Sequence, residues 1–256
     1  MKVVIAGYGF VGKAVHAALI QHKNVELFID DPAQGHNYYR DEQIDPVDAV
    51  VVCVATPARK NGTCNTDNVE DVFNKYGDVK YLIKSAVDPV WLKYHANAFK
   101  GSYTYSPEFL RGSHTHGKPN EEFRNQTFAI YGGDDCRWWD ELFQAVLPNC
   151  KDVRYLTLEQ AAFAKYLENT FLATKVTFFN EMFKIYHEIG FEGFDAMVEA
   201  ICLDKRIGKS HTQVPGPDGR FGFGGHCLPK DLAALRVLSK DTPLLDTVSN
   251  INDKIR

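Results

Sequence analysis

The sequence predicts an α/β protein: a doubly wound parallel sheet followed by an all-helical domain. Three observations carry that expectation. The chain opens on a short apolar run, KVVIA, that leads straight into the glycine-rich turn GYGFVG and a helical pattern. Further short apolar runs then alternate with helical segments through the first half. The second half holds no such runs and is dominated by one long helical pattern. The boundary is expected between residues 156 and 157, with a dinucleotide-binding domain over 1–156 and a helical domain over 157–256.

Composition narrows the function classes. The 256 residues carry a formal net charge of −4 and no basic run, which gives no reason to expect nucleic acid as a partner. MKVVIAGYGF reads as a buried strand and not as a signal peptide, and no apolar stretch approaches membrane-spanning length. The six cysteines, Cys53, Cys64, Cys136, Cys150, Cys202 and Cys227, show neither close pairing nor zinc-ligand spacing. Reduced thiols in a cytoplasmic enzyme without a metal are the expectation. His114-Thr115-His116 reads as a polar loop, and Trp138-Trp139 as a helix packed on the sheet.

The elements follow in order. Strands are expected at 2–6, 25–30, 49–55, 79–84, 102–105 and 126–132. Between the first two, Gly7 allows the tight turn, Gly9 lets the backbone approach a pyrophosphate, and Gly12 permits close helix–strand packing. Phe10 and Val11 open the helix whose free N–H groups would meet the phosphates, so they are counted with the glycines as cofactor-binding. Asp30 ends the second strand, where an acid binds the ribose 2′-hydroxyl in a Rossmann-type domain. Asp31 beside it adds a charge hostile to a 2′-phosphate, so NAD is expected over NADP. Loops at the carboxyl ends of the strands carry Thr56, Ser85 and Ser106-Pro107-Glu108 toward the ligand crevice.

In the second half, Thr157-Leu158-Glu159-Gln160 has the form of a capping box, and Gly190 that of a C′ residue. The helix between them is apolar around most of its circumference, which predicts a subunit partner, most simply a homodimer. Lys165 and Asn169 interrupt it at i, i+4 on one face. FGFGGHCLPKD, 221–231, places Cys227 just before another helix, where the dipole and Lys230 favour thiolate. Glycines 222, 224 and 225 are read as letting a ligand approach the backbone. A last helix is expected over 242–256, with Thr242 as cap and Pro243 at N1.

These segments together, GYGFVG, SPEFLR (106–111), KYLENTFLATKVTFFNE (165–181), DKRIG (204–208) and FGFGGHCLPKD, resemble the UDP-glucose/GDP-mannose dehydrogenase family. The resemblance implies NAD-dependent oxidation of the C6 alcohol of a nucleotide sugar to a carboxylate. It implies Cys227 as the nucleophile that forms a thiohemiacetal and then a thioester. Lys165 would stabilise oxyanions, Asn169 and Asp231 would hold the reacting oxygen or a water, and Glu108 would move a proton or activate water. Lys230 joins Thr56 and Ser85 on the cofactor side. Phe109, Leu110, Arg111, Phe221, Gly222, Phe223 and Gly224 join Lys165 and Asn169 on the substrate side. Arg206 matches an arginine that reaches the sugar nucleotide from a neighbouring subunit.

The sequence departs from the family pattern at two positions. Ala86 stands where a threonine is usual, and Gly112 where a second glutamate is usual; both are associated with the hydrolytic step. The chain also reads as a short form, ending at Arg256 where the family continues into a nucleotide-covering domain. Two other readings stay open: a two-electron dehydrogenase of a smaller alcohol or hydroxy acid, and a catalytically silent nucleotide-binding homologue.

Overall fold

A computed structural model of the chain describes residues 1–38, 46–95, 98–110 and 119–256. Contacts divide them into two units, one of residues 1–59 and 64–165, the other of 60–63 and 166–256.

The first unit is built on a seven-stranded sheet of β1 (Lys2–Ala6), β2 (Glu26–Asp30), β3 (Ala49–Val52), β4 (Lys80–Ile83), β5 (Ser102–Tyr105), β6 (Phe128–Gly133) and β7 (Asp152–Leu156), in the order β2-β1-β3-β4-β5-β6-β7. Strands β1 and β3 are near-continuous apolar runs because both their faces are covered. Val3 and Ile5 pack on one face with Ala14, Val15 and Leu19 of α1 (Phe10–Leu19) and Trp139 of α5 (Cys136–Gln144). Val4 and Ala6 pack on the other with Val69 and Phe73 of α2 (Asp67–Tyr76) and Leu92 of α3 (Pro89–His95). A shorter helix, α4 (Pro119–Arg124), adds Phe123 to the first face.

Two sheet features correct the sequence reading. The sheet is not wholly parallel, because β6 runs antiparallel to β5, with Thr104 opposite Gly133. β7 was not expected: it is an edge strand whose residues are largely exposed, so it lacks the apolar signature of the buried ones. Trp139 is fully buried against the sheet, as expected of the Trp-Trp pair.

The long helix is α6 (Leu158–Glu188). Its capping box forms as read: the Gln160 N–H donates to Thr157 Oγ1 at 3.3 Å, and the Thr157 N–H donates to Gln160 Oε1 at 3.1 Å. At the far end Gly190 takes φ +83°, and the Phe191 N–H reaches back to Tyr186 O. The unit boundary falls inside this helix and not before it. Ala161 and Ala162 belong to the sheet's core, where a Cβ on Gly132 would meet Ala161.

The second unit holds the rest of α6 with α7 (Phe194–Ile201), α8 (Cys227–Leu238) and α9 (Pro243–Ile255). Ala173, Phe223, Leu232 and Val248 form one core cluster; Phe179, Phe194, Val198 and Val214 form another. Pro243 opens α9 as read, but Thr242 makes no side-chain capping bond, so the helix start rests on the proline.

Candidate functional site

The glycine turn of the first unit assigns each glycine a physical task. Gly7 takes φ +90°, and a Cβ there would lie 2.7 Å from the backbone of Cys53. Gly12 faces the Gly7 backbone so closely that any side chain would overlap it. Gly9, the residue before α1, has nothing within 4 Å of a Cβ position, and no side chain caps that helix. An unfilled approach to orphan N–H groups at a helix N-terminus suits a pyrophosphate. Phe10 is exposed and Val11 partly exposed at the same end. The turn therefore fits a dinucleotide.

The two acids at that turn are held differently. Asp30 is 6% exposed, and its Oδ2 accepts bonds from Lys75 Nζ and Tyr76 OH, both at 2.7 Å. That oxygen is held by α2, while Oδ1 is buried without a hydrogen bond. Asp31 is the acid at the glycine turn: its Oδ2 accepts the Tyr8 N–H at 2.7 Å and Gln34 Nε2 at 2.9 Å. Successive residues of an extended chain face opposite ways, so the two acids meet different neighbours. Gln34 also donates to Tyr8 O at 2.8 Å, tying the turn to the segment after β2.

At the ends of β3 and β4 the hydroxyls are committed to the backbone. Thr56 donates to Ala86 O and Ser85 to Val54 O, each at 2.7 Å. They shape these loops and offer a ligand only acceptor lone pairs. Glu108 is buried; its Oε1 accepts the N–H groups of Phe109 and Leu110 at 2.9 and 3.2 Å. Its Oε2 has no hydrogen bond and lies 3.7 Å from Lys84 Nζ, itself buried and bonded to Ser106 Oγ. Lys84 escaped the sequence reading because nothing in KSAVDP marks its ammonium as buried. Desolvation pushes the nearby Cys53 thiol up to about 12, with Lys84 pulling the other way and Glu108 adding to the rise. A thiol so far raised is a poor nucleophile at neutral pH. Lys165 is half-buried, its Nζ 5.1 Å from the centre of the Phe109 ring. Arg111, Gly112 and His114–His116 lie outside the described residues.

In the second unit Asp231 is 1% exposed and joins two other candidates. Asn169 Nδ2 and Lys230 Nζ each donate to it at 2.5 Å, one to each carboxylate oxygen. Lys230 also lies 5.9 Å from the Tyr166 ring centre. Asn169 is therefore a buried member of a polar cluster and no part of a solvated stripe. Cys227 is the first residue of α8, not the residue before it, and of the six cysteines it is the exposed one.

The loop before Cys227 differs from expectation. Gly222 and Phe223 are buried, and Phe223 is a core residue. A Cβ on Gly222 would lie 2.5 Å from Asn252 Oδ1, and one on Gly224 would overlap the Arg256 guanidinium. These two glycines accommodate side chains of the same chain, one from α9 and one from the residue that follows it; Gly225, at φ +76°, has open space. Phe221 is exposed. Arg206 is on the surface and chelated by Asp204, its Nε 3.0 Å from Oδ1 and 3.1 Å from Oδ2. No group of His, Cys, Asp or Glu among the described residues could hold a metal ion, and no helix among them is long and apolar enough to cross a membrane.

Together these features define the class: a dinucleotide-binding α/β unit followed by a helical unit that presents a thiol at a helix N-terminus. Residues 159–254 match the family model described as UDP-glucose/GDP-mannose dehydrogenase family, central domain. The chain is 30% identical over 231 residues to a UDP-glucose 6-dehydrogenase of Rickettsia bellii, covering 84% of this chain and 51% of the relative. It is 29% identical over 285 residues to a UDP-glucose 6-dehydrogenase of Streptococcus pneumoniae, covering 95% and 70%. A UDP-glucose dehydrogenase structure from Pyrobaculum islandicum shares the fold, with a TM-score of 0.75 at 23% identity over 99% of this chain and 68% of that one. Residues 159–254 thus resemble the central domain of that family, and the chain as a whole resembles its UDP-glucose 6-dehydrogenases. The chain spans about half the length of the first of these relatives.

Proposed function

We propose that the chain takes part in NAD-dependent oxidation of the C6 alcohol of a nucleotide sugar to the carboxylate, through a covalent intermediate on Cys227. The observation that carries this reading is the exposed thiol at the first position of α8, beside the Asn169–Asp231–Lys230 cluster. NAD, when bound, supplies the hydride acceptor for both oxidations. The turn at Gly7, Gly9 and Gly12 would hold its pyrophosphate and Asp31 its ribose hydroxyls.

The helix N-terminus favours the Cys227 thiolate. After the first oxidation the aldehyde carbon has no hydroxyl from which a second hydride can be expelled. The Cys227 sulfur adds to that carbon, forming a C–S bond and a tetrahedral alkoxide. Lys165 and Asn169 stabilise the negative oxygen. Loss of a hydride from the thiohemiacetal leaves a thioester. Water then adds, the C–S bond breaks, and the products are the carboxylate and the thiol. Glu108 Oε2, with no hydrogen bond of its own, is the acceptor we assign to that water.

A homodimer through α6 belongs to the same reading. Leu167, Phe171, Phe178 and Ile185 are 58%, 62%, 54% and 44% exposed. At about 100° per residue they fall within roughly a 40° sector of the helix. Such a stripe is suited to burial against a second copy.

The test is stoichiometric. Purified protein mixed with NAD and a panel of nucleotide sugars should yield two NADH per sugar, and Cys227→Ser should stop after the first. One NADH per substrate in wild type, from a small alcohol, would support the two-electron reading; none with any substrate would support the silent binder.

A further inference from the structure

The end of α9 is tied to the loop that leads into Cys227. Asn252, 7% exposed, accepts the Phe223 N–H at 2.7 Å through Oδ1. Asn180 of α6, equally buried, accepts the preceding Gly222 N–H at 3.0 Å, while its own Nδ2 is fixed to Val176 O at 2.8 Å. Arg256 donates through Nη1 to the carbonyls of Phe221 and Gly222 at 3.3 and 3.4 Å, and through Nη2 to Asp218. The same guanidinium lies over Gly224, where any side chain would displace it. N–H and C=O groups of the loop are thus held from outside it, four to six residues before the thiol. Without these partners they would be loop groups with no secondary structure to satisfy them.

From this geometry we propose that Asn252 and Arg256 are positioning residues for Cys227, and that Gly222 and Gly224 are glycines so that these two side chains can reach the loop. The proposal rests on the reading of Cys227 as nucleophile for its consequence, but not for its test. Phe223 is anchored among Ala173, Leu232 and Val248, so the clamp fixes one end of the Gly224–His226 segment and α8 fixes the other. Gly225, at φ +76° with open space around it, is where the backbone would give if the clamp were removed. A sulfur that wanders from the helix N-terminus loses the dipole's help as well as its aim.

The experiment measures alkylation of Cys227 by iodoacetamide against pH in the whole chain, without cofactor or substrate, with Cys227→Ser as blank. Turnover is followed in parallel, and near-UV circular dichroism checks that each variant is folded. Arg256→Ala and Gly224→Ala should each slow alkylation at neutral pH roughly 2- to 10-fold and move its pH profile upward, the scale of a helix-terminus effect on a thiolate. The methyl in Gly224→Ala only pushes aside the far end of a flexible side chain, so that variant keeps the fold while losing the clamp. Because both changes remove the same contact, the double variant should be no slower than either alone. Arg256→Lys, which keeps the charge, should recover part of the rate.

Alkylation unchanged in both single variants, or additive losses in the double, overturns the proposal. Gly224→Ala impairing turnover alone, with alkylation as in wild type, would mean that the glycine serves substrate approach, which also overturns it. If the alkylation pattern appears as expected but wild type oxidises no nucleotide sugar, the positioning role stands and the proposed function falls.

Discussion

Replacing the two adjacent acids one at a time separates stability from cofactor binding. Asp30→Ala removes a buried carboxylate that accepts from Lys75 and Tyr76 at 2.7 Å each. A hydrogen bond to a charged group contributes about 1.5–3 kcal/mol, and Tyr76 OH loses its buried partner outright. The Lys75 side chain is 30% exposed, so its share is screened and falls toward the lower end. The expected loss is about 2–4 kcal/mol in urea unfolding, with NAD affinity changed little in protein that remains folded. Asp31→Ala should do the reverse. Its carboxylate is partly exposed at the turn, so stability should fall by no more than about 1 kcal/mol. NAD affinity by calorimetry should drop about 10- to 100-fold, the worth of a charged acceptor on a ribose hydroxyl. If Asp30→Ala loses NAD affinity at wild-type stability while Asp31→Ala binds normally, the proposal that Asp31 holds the ribose hydroxyls is wrong.

Other consequences are open to measurement. Gly12→Ala places a methyl against Gly7 backbone that cannot swing away, so it should cost about 1–3 kcal/mol or more of stability and abolish detectable NAD binding by calorimetry. Phe171→Glu in the exposed α6 stripe should give monomers in analytical ultracentrifugation where wild type gives dimers; a wild-type monomer at micromolar concentration would refute the homodimer. His16 should make stability fall in acid. Burial first, and His36 second, hold its pKa below 6.5, and its ring nitrogen sits 3.3 Å from Tyr8 OH. A base with a lowered folded pKa takes its proton more readily when unfolded. Its contribution is therefore complete above pH 6.5 and lost as pH falls from there through the folded value. His16→Gln should flatten the urea midpoint between pH 7.5 and 5, and an unchanged slope would show that other groups set it.

The sequence by itself determined the parts that depend on local pattern. A buried apolar run followed by glycines at fixed offsets specifies the strand, turn and helix around Gly7, Gly9 and Gly12, because backbone conformation or close packing excludes a side chain at Gly7 and Gly12. The capping box at Thr157 and the glycine at 190 bounded α6 for the same reason: caps are contacts between neighbours in the chain. The antiparallel placement of β6 could not be read, since a strand's residues show its burial but not its direction. Nor could the edge strand β7, which has too little buried surface to leave an apolar signature. Only the tertiary structure decided which acid of Asp30-Asp31 is taken by α2, since Lys75 and Tyr76 lie 45 and 46 residues away. It also decided that Gly222 and Gly224 make room for Asn252 and Arg256, a contact between segments 30 or more residues apart. A glycine in sequence says that a side chain is excluded; what excludes it is a neighbour that only folding brings near.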